Sequence, residues 1–82
     1  MKESEIYKII AHMDAQFIKQ TNHSYTHGGR KIKVVLCNEL CYEALIEYHA
    51  LFKHPWLGTY MTAPVQIDNT LSENEIKVVH ED

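Results

Sequence analysis

The segment RKIKVVLCNELCYEALIEYHALF constrains the fold more than any other, because the spacing of its apolar residues changes at Asn38. Before this residue, polar and apolar side chains alternate, which predicts a strand over residues 31–37. After it, apolar residues recur three and four positions apart, which predicts a helix over residues 39–53 with Asn38 as its N-cap. The chain therefore passes directly from a strand into a helix.

The strand predicted over residues 31–37 carries apolar side chains on both faces. One face is apolar throughout and consists of Ile32, Val34 and Leu36. The opposite face begins with lysines and becomes apolar towards Cys37. A strand of this kind is expected at the centre of a sheet.

The N-terminal region predicts an amphipathic helix over residues 4–19, with Ser4 as its N-cap. Its apolar stripe has helical spacing and consists of Ile6, Ile9, Ile10, Met13 and Phe17. Turn-forming residues follow the stripe, so the helix is expected to end before them. Residues 24–26 are then expected to form a short strand that turns back at residues 28–29.

The last third of the chain predicts a hairpin over residues 62–80. Its first strand is expected to lie at an edge of the sheet or to begin at Pro64, because proline cannot donate to a ladder of hydrogen bonds. Together these elements predict a single α+β domain over residues 1–82. Two helices would pack on a small sheet of three or four mainly antiparallel strands.

Composition limits the functions open to the chain. Of its 82 residues, 45% are apolar and 23% are charged, which is typical of a folded domain rather than a disordered segment. The N-terminal region lacks a continuous apolar run, so neither a signal peptide nor a membrane span is expected. We therefore expect a cytoplasmic protein with reduced thiols. A net charge of −3 argues against general nucleic-acid binding, which usually needs a basic face.

Both cysteines and two histidines have the spacing of zinc ligands. The pairs are His23 and His27, and Cys37 and Cys41. The expected geometry argues against a shared site, since Cys37 belongs to a strand face and Cys41 to the core-facing side of the next helix. Cysteine is also often a small buried apolar residue. Absence of a cofactor is therefore the favoured expectation, and zinc is the alternative.

Cys37 is also a candidate nucleophile, because a thiol near a helix N-terminus has a lowered pKa. A cysteine phosphatase loop needs an arginine six positions after the cysteine, where this chain has Glu43. We therefore assign no catalytic residue and favour a protein that is not an enzyme.

The turn before the central strand combines two glycines with two cations. Backbone N–H groups and cations in such a turn can hold a phosphate or a nucleotide. The residues concerned are Gly28, Gly29, Arg30 and Lys31. The segment lacks the established phosphate-loop patterns, so a plain turn into the strand is the favoured interpretation.

Two features predict a surface for a protein partner. The loop after the second helix holds aromatic and apolar residues of the kind that are enriched in interface hot spots. Its candidate residues are His54, Trp56, Leu57 and Tyr60. The helix itself carries an acidic stripe that would attract a basic partner. The stripe consists of Glu39, Glu43 and Glu47. The alternatives are a tryptophan that closes the core and an acidic face that is simply solvated.

From the basic strand onwards, the segments KVVLCNELCYEAL, GTYMTAPVQID and LSENEIKVV follow a pattern of strand, helix and hairpin. The hairpin part is carried by Pro64, Val65, Asp68, Leu71, Val78 and Val79. This pattern resembles small uncharacterised proteins encoded by bacteriophages of Gram-positive bacteria. The resemblance implies a chain that binds a host protein in the host cytoplasm, and it offers no catalytic residue.

The favoured hypothesis is a small non-enzymatic binding domain, a phage accessory protein for host takeover or anti-defence. It would act as an inhibitor by occupying the surface of a host macromolecule. A homo-oligomer is also expected, because at least one edge of the sheet looks open. The alternatives from other classes are a Cys/His metal-binding protein and a phosphate-binding or nucleotide-binding protein.

Overall fold

The computed structural model describes residues 1–26, 31–73 and 75–81, with the backbone alone for residues 22–26. These residues form two helices and four strands, which confirms the α+β prediction. In chain order the elements are α1 (Glu3–Thr26), β1 (Ile32–Cys37), α2 (Glu39–Leu51), β2 (Thr59–Tyr60), β3 (Ala63–Ile67) and β4 (Ile76–His80).

The strands form one mixed sheet in the order β2-β3-β1-β4. β1 is central, as its two apolar faces predict, and it pairs antiparallel with β4 and parallel with β3. β2 pairs antiparallel with the start of β3. α1 packs against α2 and β4, while α2 packs on β1 and β3. Both helices therefore cover the same face of the sheet.

The predicted hairpin over residues 62–80 is wrong, because β3 and β4 lie on opposite sides of β1. The loop between them passes the start of α2 instead of turning back. The backbone N–H of Asp68 donates to the Cys37 carbonyl at 2.7 Å, and the side-chain amide of Asn38 donates to the Ser72 carbonyl at 2.9 Å. These bonds fix the loop across the end of β1, so the chain reaches the other side of β1 before β4 begins.

The predicted edge position of β3 is also wrong at the start of the strand. β3 begins at Ala63, and β2 pairs with it at Ala63 and Pro64. The N–H of Val65 donates to the Gly58 carbonyl at 3.0 Å, which extends this contact by one residue. Because β2 has only two residues, the ladder that Pro64 interrupts is short.

α1 runs to Thr26 and does not end at residue 19. It therefore includes residues 24–26, for which the sequence predicts a strand, and that prediction is wrong. Contacts with the rest of the protein outweigh the local turn preference. Thr21 is buried, and its hydroxyl donates to the Phe17 carbonyl at 2.7 Å, which keeps a turn-forming residue compatible with the helix.

The start of α1 also differs from the prediction. The backbone N–H of Ile6 donates to the Lys2 carbonyl at 3.0 Å, so Ser4 lies within the first turn and is not the N-cap. The apolar stripe is confirmed, because four of its members are buried and Phe17 packs against them. No helix in the described part of the chain has both the length and the apolar character needed to cross a membrane.

Two glutamines of α1 cover the outer edge of β4. The Gln16 side chain accepts from the N–H of Ile76 at 2.8 Å. The Gln20 side chain donates to the Ile76 carbonyl at 2.9 Å and accepts from the N–H of Val78 at 2.7 Å. These bonds satisfy backbone groups that an edge strand would otherwise present to another chain. They also explain why α1 continues past its apolar stripe.

The faces of β1 differ in one position from the predicted alternation. The pairing of β1 with β4 shifts between Ile32 and Val34, which indicates a β-bulge. Ile32 consequently packs against the core together with Val35 and Cys37. Ile32 therefore lies on the core-facing side of β1, and not on the same side as Val34 and Leu36 as predicted.

Candidate functional site

Six aromatic rings form a continuous cluster across α1, α2 and the loop after α2. The ring of Tyr7 lies 6.1 Å from that of Tyr48, and the ring of Tyr48 lies 5.1 Å from that of Phe52, measured between centroids. His49 lies between Tyr48 and Trp56, at centroid distances of 5.6 and 6.3 Å. The members of this aromatic cluster are Tyr7, Tyr42, Tyr48, His49, Phe52 and Trp56.

The aromatic cluster is only partly covered by the rest of the protein. Phe52 is 51% exposed, and Leu57, which follows Trp56, is 83% exposed. Trp56 is half-buried: its ring packs edge-to-face on Tyr42 at 4.9 Å, and its indole N–H donates to the Thr59 carbonyl at 2.7 Å. The tryptophan is therefore held in place, and apolar surface remains exposed beside it.

A pocket of about 210 Å³ opens beside the aromatic cluster, between α1, α2 and the turn that joins β2 to β3. Among its lining residues are Asp14, Tyr48, His49, Thr59, Tyr60 and Met61. Tyr48 and His49 belong to both the cluster and the pocket. The two features therefore form one continuous surface.

Asp14 and Tyr60 are hydrogen bonded in the wall of this pocket. The hydroxyl of Tyr60 donates to Oδ1 of Asp14. Burial and this bond both raise the pKa of Tyr60 above its ordinary value, so the phenol stays protonated and remains a donor. The ring of Tyr60 also packs edge-to-face on Phe17 at 5.5 Å. The bond occupies one oxygen of the Asp14 carboxylate.

His49 presents one ring nitrogen to the protein backbone. Its Nδ1 lies 2.8 Å from the carbonyl oxygen of Leu45. A carbonyl can only accept, so Nδ1 must carry the hydrogen of this bond. When the ring is neutral, Nε2 is then the acceptor, which leaves His49 as a second acceptor group beside Asp14.

The turn that borders the pocket has an unfavourable backbone conformation. Met61 and Thr62 connect β2 to β3 and have φ angles of 51° and 68°. A two-residue hairpin turn with two positive φ angles usually contains asparagine and glycine, and a β-branched residue there is strained. Such strain is common where a backbone is shaped for binding. The strained turn places Met61 in the pocket wall with its side chain partly exposed.

The structure separates the predicted loop residues into two groups. His54 and Leu57 are exposed and Trp56 is half-buried, so these three can contribute to a surface. Tyr60 departs from the prediction, since it is 7% exposed and is tied to Asp14. Tyr60 can therefore contact a ligand only from within the pocket and not on the outer surface.

The predicted acidic stripe lies on the outward side of α2. Glu39 and Glu43 are exposed, and Glu47 is half-buried. Glu47 accepts a hydrogen bond from the backbone ammonium group of Met1 at 3.2 Å. The stripe therefore gives one side of the helix a negative charge.

The two cysteines lie in the core. Cys37 and Cys41 are both fully buried within one cluster, so the expectation that they point to different surroundings is wrong. Burial raises the pKa of the Cys37 thiol to about 12, and the neighbouring Cys41 adds to the rise. A thiol with a raised pKa is a poor nucleophile, which is the opposite of what a helix N-terminus would cause. Asn38 uses that N-terminus itself, because its side chain accepts from the Cys41 N–H at 3.0 Å.

The other predicted ligands fall largely outside the described residues. The side chain of His23 and all of His27 lie outside them, as do Gly28, Gly29 and Arg30 of the proposed phosphate turn. Lys31 is described and exposed. Among the residues that the structure does describe, no group of three or more His, Cys, Asp or Glu side chains could hold a metal ion.

Several residues of this surface are missed by the sequence reasoning. Tyr7 and Asp14 lie on α1, Met61 lies in the turn between β2 and β3, and the three have no shared motif. Phe52, the residue that follows α2, lies four positions after Tyr48, and this spacing indicates contact between their rings. The sequence alone assigns that pair to the buried side of the helix, although Phe52 is largely exposed.

We compared the chain with protein-family models, curated proteins and solved structures, and none of the three comparisons gave a match.

Proposed function

We propose that the protein is a small non-enzymatic binding domain that contacts a protein partner through the aromatic cluster and Leu57. The observation that carries this proposal is the exposure of Phe52 and Leu57 beside rings that are held in place by their neighbours. A fixed ring loses little conformational entropy on binding, and aromatic residues dominate the energetics of many interfaces.

The charge around this surface supports a partner with basic residues. Glu39 and Glu43 are exposed on α2, the helix that also carries three members of the aromatic cluster. Charges at the rim of an interface raise association rates and discriminate between partners, although they add little to affinity. The expected partner surface is therefore apolar at its centre and basic at one side.

A thiol enzyme is less well supported. The Cys37 thiol is buried, and its raised pKa keeps it protonated at neutral pH. A cysteine nucleophile needs an exposed thiolate and a neighbouring base. Packing in the core is the role that burial of both cysteines favours.

The resemblance to phage-encoded proteins gives the cellular context of the proposal. The partner would be a protein of a Gram-positive host, met in the host cytoplasm. Binding of the aromatic cluster would block that partner's own contacts, as an inhibitor does. An extract of a Gram-positive bacterium is therefore the material in which to search for the partner.

Self-association through the edge of β4 is less well supported than the sequence alone indicates. The N–H groups of Ile76 and Val78 already donate to Gln16 and Gln20. β2, at the other edge, has two residues and offers a short ladder. We therefore place the proposed contact on the helices and the loop and not on a sheet edge.

The proposal is tested by affinity capture from an extract of a Gram-positive bacterium. Immobilised wild-type protein is compared with the double variant Phe52→Ser/Leu57→Ser by quantitative mass spectrometry of the bound proteins. The wild type is expected to retain a protein that the double variant loses, because both exposed apolar side chains are removed.

The matched control is Ile18→Ser. Ile18 is 63% exposed on α1 but is not part of the aromatic cluster, so this variant loses a similar apolar side chain elsewhere. It should retain the captured protein. Equal capture by the double variant, or loss of capture by Ile18→Ser as well, would contradict the proposed surface.

A further inference from the structure

The pocket beside the aromatic cluster contains the carboxylate group of Asp14. Asp14 is half-buried in its wall, and the Tyr60 hydroxyl bonds to one of its two oxygens. Within the part of the chain that the structure describes, no lysine or arginine forms an ion pair with Asp14. A carboxylate that loses hydration without gaining a cation is left in an unfavourable state, which a positively charged ligand would relieve.

We propose that this pocket binds a protonated primary amine, whose ammonium group pairs with Asp14 and lies against the rings of Tyr48 and Tyr60. Aromatic faces attract cations, and the attraction grows as the cation loses water. A carboxylate with two tyrosine rings therefore selects an organic cation over a neutral molecule of the same shape.

The hydrogen-bonding groups of the pocket favour a primary ammonium group. Such a group has three N–H donors and no acceptor. Asp14, Tyr60 and His49 line the pocket, and their hydrogen bonds leave Oδ2 of Asp14, the oxygen lone pairs of Tyr60 and Nε2 of neutral His49 as acceptors. A quaternary ammonium ion has no N–H to donate and would leave these acceptors without bonds.

The size and the remaining walls limit the rest of the ligand. The pocket measures about 210 Å³, below the roughly 300–1,000 Å³ of sites that hold drug-sized molecules. Apolar side chains of Ile10, Leu45 and Met61 complete its lining. A short alkyl chain fits this space, and it can belong to a free alkylamine or to a lysine side chain.

The pocket shares Tyr48 and His49 with the proposed partner surface, but the two proposals are tested separately, because neither Phe52 nor Leu57 lines the pocket. The double variant that tests the proposed function should therefore still bind amines. A negative result for one proposal consequently does not decide the other.

The experiment is a titration of the ¹⁵N-labelled wild-type protein near pH 7, followed by amide chemical shifts. The probes are n-butylammonium chloride, the neutral isostere n-butanol and tetramethylammonium chloride. Saturable shifts are expected with butylammonium at Asp14, Tyr48, His49 and Thr59 to Met61. Butanol should bind at least about tenfold more weakly, since it lacks the charge that Asp14 attracts, and tetramethylammonium should also bind more weakly, since it has no N–H to donate. Equal binding of butanol, or the absence of saturable shifts with butylammonium, would overturn the proposal.

A second arm uses two variants that each remove one negative charge. Asp14→Asn keeps an acceptor for the Tyr60 hydroxyl, so the fold is expected to persist, and an unchanged pattern of distant amide shifts checks this. It should weaken butylammonium binding by about tenfold. Glu73→Gln removes an exposed charge in the loop between β3 and β4, which does not line the pocket, and should have no effect. Equal losses of butylammonium affinity in the two variants would show that the cation is attracted by the net negative charge of the protein, and this would overturn the proposed amine site.

A third arm distinguishes the two sources of the amine. Nα-acetyl-lysine methylamide carries the same ammonium group on a lysine side chain with a blocked backbone. Tighter binding of this compound than of butylammonium supports the site and identifies a lysine side chain as its ligand. Tighter binding of butylammonium supports the site and identifies a free alkylamine.

Discussion

The two ends of α2 differ in almost every property that decides function. At its N-terminal end, the Asn38 side chain accepts from the Cys41 N–H and donates to the Ser72 carbonyl, and both cysteines are fully buried. At its C-terminal end, Phe52 is largely exposed and Tyr48 borders an open pocket. One end is closed by packing and hydrogen bonds, whereas the other presents rings to solvent.

The difference shows how a reactive-looking motif can be structural. The CNELC segment has the residue types and spacing of a metal or thiol site, yet it lies where a strand passes into a helix and fills the core. The segment from Tyr48 to Met61 has no catalytic motif. Its rings, its strained turn and its pocket nevertheless lie together on the surface, which is what binding requires.

The largest expected effect is the difference in stability loss between a substitution on the buried side of α2 and one in the exposed loop that follows it. Leu45→Ala should lower the free energy of unfolding by about 2–5 kcal/mol, because Leu45 is almost completely buried and the change leaves a cavity. Leu57→Ala should change it by less than about 0.5 kcal/mol. Urea denaturation followed by circular dichroism measures both. Similar losses of stability in the two variants would contradict the difference in burial between Leu45 and Leu57.

A smaller effect is expected at the closed end of the helix. Asn38→Ala removes the N-cap bond and the bond to Ser72, and should cost about 1–2 kcal/mol. Asn69→Ala is the matched control, because its side chain accepts one exposed bond from the Glu39 N–H at 3.0 Å. It should cost less in the same denaturation experiment. A greater loss in the control would mean that Asn38 does not hold this end together.

The turn at the open end should gain stability from glycine. Thr62→Gly should raise the free energy of unfolding by about 1 kcal/mol, because glycine adopts a positive φ angle without the steric cost of a β-branched residue. Gly58→Ala provides the opposite control, since Gly58 has a φ angle of 79° with open space around it. It should lower stability by about 1 kcal/mol. Calorimetry of both variants shows whether each substitution raises or lowers the free energy of unfolding. A lower value for Thr62→Gly would contradict the claim that this turn is strained.

The last effect is confined to alkaline pH. Because the folded protein raises the pKa of Cys37 from 9.0 to about 12, the unfolded chain loses its thiol proton first. The stabilisation is complete below pH 9 and is lost as the pH rises towards 12. The raised pKa of Tyr60 acts in the same direction once the pH passes the ordinary tyrosine value of 10.0. Cys37→Ala should show a shallower decline in urea denaturation between these pH values, and an identical decline would exclude the thiol as a cause.

Local patterns were sufficient to predict much of the fold. Periodicity identifies β1, α2, the N-cap at Asn38 and the apolar stripe of α1. It does not identify strand partners, because an apolar strand can pair with any neighbour that the loops allow. The bonds from Asp68 and Asn38 place the loop after β3 across the end of β1, and no local pattern encodes them. The same reason hides the extension of α1, which depends on Gln16 and Gln20 meeting β4.

The candidate site was less accessible from the sequence than the fold. Trp56 and Leu57 were identified because aromatic and apolar residues in a loop are conspicuous. The pair of Asp14 and Tyr60 is separated by 46 positions and meets only when α1 packs beside β2. An isolated acid in an amphipathic helix gives no sign that it faces a pocket. Sequence patterns report what is near in the chain, whereas this site is assembled from three separate elements.

The most direct test of the binding surface is site-specific photo-crosslinking in the bacterial extract. Benzoylphenylalanine is introduced at Leu57, beside the aromatic cluster, and in a second sample at Gln66, which is exposed on β3. We expect a discrete cross-linked product from position 57 and none from position 66. A product from position 66 alone, or equal products from both positions, would contradict the claim that the open end of α2 and its following loop form the binding surface.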